Sequence, residues 1–218
     1  NLEIVNYDAL SDSGAMDAFE SVFGYRALPK YDLSTAKSIV SIGADFLGSF
    51  QGSSYDISYI AGRKLEGGKM SRHIQFESNM SLTGANADKR VVLKPSEQVF
   101  ALLNLYNALS ATPVASKKTA VDAEILKAAK QLKKAGKNGV VLSGLQSKEA
   151  QLVVMAINDI LKSELVDYSD AVMLKSGDDK ALNSLVSDMN AGKVSALLTV
   201  GTNPLYTYED PKRFASGM

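Results

Sequence analysis

The sequence predicts an α/β protein of two lobes, each with a mainly parallel sheet flanked by helices. Four observations carry that expectation. Residues 38–42, SIVSI, are an unbroken run of β-branched and small side chains, the pattern of a strand covered on both faces. The run enters a loop at Gly43, Ala44 and Asp45, at the strand end where open α/β sheets bind ligands. The design returns at residues 194–204, VSALLTVGTNP, where an apolar stretch ends in Gly201 with Asn203 two positions later. Beyond residue 118 helical and extended patterns then alternate regularly, which argues for βαβ crossovers.

Taken in order, residues 2–7 (LEIVNY) read as a strand ending at Asp8. Apolar residues at Ala15, Phe19, Val22 and Phe23 have helical spacing, with Ser13 as N-cap and Gly24 as the stop. Residues 25–31 contain Pro29 and read as extended chain or loop. After the 38–42 strand come a helix over 55–64 ending near Gly67 and Gly68, a strand over 72–77, and a loop over 77–88, ESNMSLTGANAD. A short strand over 90–93 precedes Pro95, and an amphipathic helix capped by Ser96 runs to Leu109. Residues 110–118, SATPVASKK, lack an apolar period and are the expected link between lobes 1–112 and 113–218. The second lobe reads as helices over 122–135, 148–161 and 178–190, with strands over 139–143, 171–174 and 196–200. Residues 39–42 and 197–200 are expected among the most buried strands.

Composition narrows the function. With 218 residues the chain is long enough for two α/β lobes of about 100 residues each. The 24 basic and 24 acidic residues cancel, so no global field recruits nucleic acid or an anionic membrane. No cysteine is present, which excludes disulfides, thiolate-ligated clusters and a cysteine nucleophile within these residues. No apolar run approaches the roughly 20 residues of a membrane span. The ends of the sequence read as those of an internal piece of a larger subunit.

Each motif has a bland reading beside the functional one. Residues 62–71, GRKLEGGKMS, superficially resemble a phosphate-binding loop, but Arg63 and Met70 break the pattern and the stretch precedes a strand instead of following one. His73 is the sole histidine; it stands at the start of its strand, with no G-x-S-x-G elbow to serve, and reads as a surface or strand-start residue. Asp8, Asp45, Glu77 and Asp88 all fall near strand ends. Carboxylates so placed can bind Mg²⁺ or act as acid and base, yet more often hold loops through backbone amides. The basic run 130–137, KQLKKAGK, reads as a solvated helix end.

At the three strand-end loops the sequence resembles a known family. The stretches IGADFLGS, HIQFESNMSLTGANADKRVVLKPSE and ALLTVGTNPLYT are similar to the molybdopterin oxidoreductase superfamily. There, a strand ends in Gly-x-Asn, an acidic strand end leads into a Thr/Ala/Asp loop, and a second Gly-x-Asn-Pro follows. The segments ADFLG (44–48), MSRHIQFES (70–78) and SLTGANAD (81–88) resemble a divergent branch, the iron–sulfur subunit of bacterial alternative complex III.

The resemblance implies Rossmann-like lobes of the formate dehydrogenase/DMSO reductase type. It also implies a non-catalytic domain of an electron-transfer subunit in a quinol-oxidising respiratory complex. Partners would be the other subunits and the rest of its own chain, on the periplasmic side of the inner membrane, with no nucleic acid and no direct membrane insertion. Iron–sulfur clusters would lie elsewhere in the parent chain. The family's cofactor-binding positions map onto Gly43, Asp45, Thr83, Asn86, Gly201 and Asn203, as vestiges.

Asp45 departs from the family's Asn, and Phe46, Leu47 and Phe50 add bulk beside it. A carboxylate there would repel a pyrophosphate. Asp45 is expected to accept hydrogen bonds from amides near 84–86, with Phe46 or Phe50 turned inward. Two alternatives stay open: a molybdopterin dinucleotide held by the same loops, as part of a catalytic oxidoreductase, or an unrelated small anion or nucleotide bound there.

Overall fold

A computed structural model describes residues 2–52, 54–65 and 70–218. It has a mixed α/β architecture and divides into two compact units, one of residues 14–175 and the other of 1–13 with 176–218.

The larger unit is built on a parallel sheet of β2 (Ser38–Ile42), β3 (Arg72–Glu77), β4 (Lys89–Val92) and β5 (Gly139–Ser143), in the order β4-β3-β2-β5. β2 is central, with all five residues buried, as its unbroken apolar run requires. Its register places Ile39 beside His73 and Val140, and Ser41 beside Gln75 and Leu142. One face is apolar: Val40, Ile42, Ile74, Phe76, Val91 and Val141 pack under α4 (Gln98–Leu109), α5 (Asp122–Ala135) and α6 (Lys148–Leu161). The stripe of Ile125, Ala128, Ala129 and Leu132 on α5 has the spacing that buries one helix face.

The opposite face is roofed by loop segments and short helical turns. Ile39, Val140 and Leu142 meet Phe46 and Phe50 from the loop after β2, and Tyr59 from α2 (Asp56–Ala61). Through β3 that face is polar, because alternate residues His73, Gln75 and Glu77 all point to it and all are buried.

The link expected between two lobes is instead a connection between neighbours on one face. Residues 110–118 join α4 to α5 and are laced back onto α4: the Asn107 side chain donates to Val114 O and accepts from its N–H, both at 2.8 Å. β5, from beyond that segment, pairs with β2, so a single parallel sheet draws on both sides of it.

Three further expectations are corrected. The strand read at 171–174 is the end of β6 (Val166–Val172), which pairs antiparallel with β1 (Leu28–Tyr31) outside the parallel sheet. Residues 2–7 and 196–200 form no strand, and Leu198 and Val200 are 86% and 79% exposed. An apolar run becomes a strand only where a neighbour supplies the hydrogen-bond ladder. The described residues of the smaller unit are helical or irregular, and its core is Leu182, Val186 and Met189 of α7 (Asp179–Asn190) with Tyr208 and Phe214.

Caps also differ in detail. α1 (Ser13–Phe23) begins at Ser13 itself, whose hydroxyl accepts from the Asp179 N–H. α4 is entered through a tight turn at Pro95 with no side-chain cap from Ser96. Gly24 does end α1, at φ 84°. The glycines at 67 and 68, read as a helix end, lie outside the described residues.

Candidate functional site

The order β4-β3-β2-β5 places the topological switch point between β2 and β5, the crevice where such sheets usually bind ligands. Here the chain itself fills it. Gly144 N–H donates to Ile42 O at 2.9 Å, and a Cβ on Gly144 would lie 2.3 Å from Gly43 O. Gly43 turns the chain at φ 68° and its N–H donates to Phe76 O. The two loops leaving the switch point are thus in backbone contact.

Beside it, Asp45 and Thr83 meet. Asp45 Oδ1 accepts from the Thr83 N–H at 2.9 Å and from its hydroxyl at 2.7 Å, while Thr83 Oγ1 accepts from the Leu47 N–H at 2.8 Å. Thr83 is the second residue of the short turn α3 (Leu82–Ala85), which Ser81 caps by accepting from the Gly84 N–H. The donor to Asp45 is therefore Thr83, one residue before the amides expected at 84–86. Phe46 and Phe50 are both turned inward, as their bulk beside Asp45 implied. A pyrophosphate approaching this rim would meet the Asp45 carboxylate where it needs a free amide, so these residues do not fit a dinucleotide.

Under the loop lies a chain of buried polar groups. Gln75 Nε2 donates to Ala44 O and to Glu77 Oε2, both at 3.2 Å, which turns its Oε1 toward His73 Nε2 at 3.2 Å. His73 Nε2 then carries the proton, and Nδ1 accepts from the Tyr59 hydroxyl at 3.1 Å. That hydroxyl is also 3.0 Å from Asn86 O, so one proton faces two acceptors. Asn86 in turn donates through its side chain to Leu82 O.

Burial, opposed by the Gln75 hydrogen bond and reinforced by the Arg63 charge, lowers the His73 pKa to about 4. The histidine does stand at the start of β3, but it is fully buried and not at the surface. It is sealed and neutral, with Phe46 and Tyr59 against its ring.

The strand-end carboxylates each have a separate structural partner. Asp88 takes both arms of Arg63, at 2.8 and 2.9 Å, and accepts from the His73 N–H at 2.7 Å; the guanidinium holds it below its ordinary pKa. Burial alone would raise the Glu77 pKa, but hydrogen bonds from Ser81, Arg90 and Gln75 outweigh it and hold the carboxyl below its usual value. Asp8 belongs to the smaller unit. Among the described residues no group of three or more potential ligands is placed to hold a metal.

Gly201 and Asn203 also belong to the smaller unit. Gly201 turns at φ 66°, and Asn203 opens α8 (Pro204–Thr207), its carbonyl accepting from the N–H groups of Tyr206 and Thr207. Of the six mapped positions, then, Asp45 and Thr83 bond directly, Gly43 and Asn86 flank them, and the last two serve a turn of their own.

Sequence reasoning missed Tyr59, Gln75 and the buried state of His73. The signal was present in RHIQFE, where His, Gln and Glu alternate with Ile and Phe in an otherwise buried strand. No protein-family model matches the chain, and no curated protein matches it. No helix among the described residues is long and apolar enough to cross a membrane.

Proposed function

We propose that this chain is a non-catalytic, molybdopterin-oxidoreductase-like domain of an iron–sulfur electron-transfer subunit. It serves as a scaffold within a quinol-oxidising respiratory complex on the periplasmic side of a bacterial inner membrane. The sequence resemblance supplies the family. One observation carries the non-catalytic reading: the amide and hydroxyl of Thr83 are both given to Asp45. The backbone closure at Gly43 and Gly144 and the buried Phe46 support it.

His73, the sole histidine, is sealed from solvent and neutral near pH 7, so no imidazole base is offered to a substrate. Without cysteine the chain has no thiolate for an iron–sulfur cluster, so its role is to carry and position neighbouring domains. The contribution of this domain is then mechanical: a rigid sheet with three helices on one face, presenting its outer surfaces to the partner subunits.

The test is the protein purified from molybdate-replete cells of its native host. It is acid-denatured, oxidised and assayed for pterin fluorescence, with elemental analysis for molybdenum and tungsten. The scaffold reading expects neither pterin nor metal at stoichiometric level. Near-stoichiometric pterin with metal would overturn it in favour of a catalytic oxidoreductase.

A further inference from the structure

At the other end of the parallel sheet, where β2 and β3 begin, lies a cleft of about 930 Å³ within the larger unit. Its charged lining residues are Lys37, Lys64, Arg72 and Lys134, all cationic. Among the described residues no carboxylate lines the cleft or pairs with any of the four. In a chain whose formal charges cancel, four cations gathered with no carboxylate among the described lining residues create a local positive potential that calls for a counter-ion.

A second observation is independent of charge. Three buried side-chain polar atoms among the described residues lack any hydrogen-bond partner: Ser38 Oγ, Ser71 Oγ and Gln131 Oε1. All three belong to residues that line this cleft. Ser38 and Ser71 are each only 3% exposed. Buried hydroxyls left unpaired are unfavourable and rare, so their convergence on one cleft marks a place where something else supplies the partner. The ring of cations gives that partner's sign. Serine hydroxyls donate to an oxyanion, and a half-turn of the Gln131 amide presents its N–H₂ instead of its oxygen.

We infer that this cleft binds a phosphate-bearing small molecule. The Arg72 fork and the three lysines neutralise the oxyanion, and the Ser38 and Ser71 hydroxyls donate to it from the wall. The site lies at the amino-terminal strand ends, opposite the Asp45 rim, and does not depend on the function proposed above.

The full chain is titrated calorimetrically with inorganic phosphate and, in a parallel arm, with pyrophosphate. Saturable binding to one site is expected, tighter for whichever species matches the natural group and weakening as salt is raised. Arg72→Ala and Lys134→Ala are each expected to weaken it about tenfold, the loss of one charge-assisted hydrogen bond, without lowering the melting temperature of the ligand-free protein. Ser71→Ala separates the ligand from simple packing. It is expected to shrink the ligand-induced rise in melting temperature while leaving the ligand-free value unchanged, because the hydroxyl has no partner there. Absence of saturable binding of either anion up to about 10 mM would overturn the proposal. So would binding that both the arginine and lysine variants leave intact.

Discussion

Asp45 Oδ1 and Thr83 are joined twice, through the threonine N–H at 2.9 Å and its hydroxyl at 2.7 Å, across 38 residues of chain. The pair ties the loop after β2 to the turn after β3. It uses an amide at the sheet edge that a ligand would otherwise need. Asp45→Ala leaves that N–H and hydroxyl without their acceptor, and a destabilisation of about 1–3 kcal/mol is expected in urea unfolding. Asp45→Asn keeps an acceptor oxygen and should lose less. Two variants as stable as the wild type would show that the pair holds nothing.

Glu77 leaves no room beside Gly84. A Cβ on Gly84 would fall 1.8 Å from Glu77 Oε1, an overlap that only movement of the carboxylate can relieve. Moving it disturbs the bonds from Ser81 and Arg90 together. Gly84→Ala is therefore expected to destabilise by about 1–3 kcal/mol. Unfolding curves that superimpose on the wild type would contradict the packing.

Acid should weaken the fold through His73. Its folded pKa is about 4, against an ordinary 6.5. Above pH 6.5 neither the folded nor the unfolded form is protonated there, so the full stability is present. As pH falls below 6.5 the unfolded chain takes up the proton first, and stability declines until the folded histidine also titrates near pH 4. The loss amounts to about 3 kcal/mol. Tyr59 and Gln75 contact the ring, and the charges of Arg63, Asp88 and Glu77 act on it. The lowered pKa values of Glu77 and Asp88 extend the decline as pH falls below their ordinary carboxylate values. Urea unfolding at stepped pH measures the slope, and His73→Gln should flatten it between 6.5 and 4. An unchanged slope in that variant would assign the effect elsewhere.

Ile42 stands in register with Phe76 and Ser143 at the end of the central strand, and its side chain lies in the apolar layer under the helices. Ile42→Asp would place an unpaired carboxylate in that layer, and a loss of about 4 kcal/mol or more is expected. A melting temperature lowered by only a degree or two would contradict the burial.

The central sheet was legible because its signal is local and strong. The runs SIVSI and GVVLS permit little other than buried strands, and the stripes of α5 and α6 permit little other than helices packed on them. Pairing was less legible. Nothing in GVVLS says that its partner is SIVSI, because two apolar strands carry no address. The connection through residues 110–118 reads as a linker until Asn107 is seen to hold it. The run ALLTV has the same local signal as the real strands and yet is exposed, because the ladder must come from a neighbour.

At the site, Asp45 and the inward phenylalanines were readable from charge and bulk. The His73–Gln75–Glu77 ladder was readable in principle from period two, but its burial depends on Phe46 and Tyr59 arriving from distant parts of the sequence.

The most direct measurement for a self-occupied rim is residue-resolved amide hydrogen exchange at Thr83 and Leu47, on protein from molybdate-replete cells. If Asp45 and Thr83 hold these donors, both amides are slow to exchange, and Asp45→Ala restores fast exchange at Thr83 while the β2 amides stay protected. Exchange at unstructured rates in the wild-type protein, or protection at Thr83 that survives removal of the Asp45 carboxylate, would mean that the amide is open or that something else fills the rim.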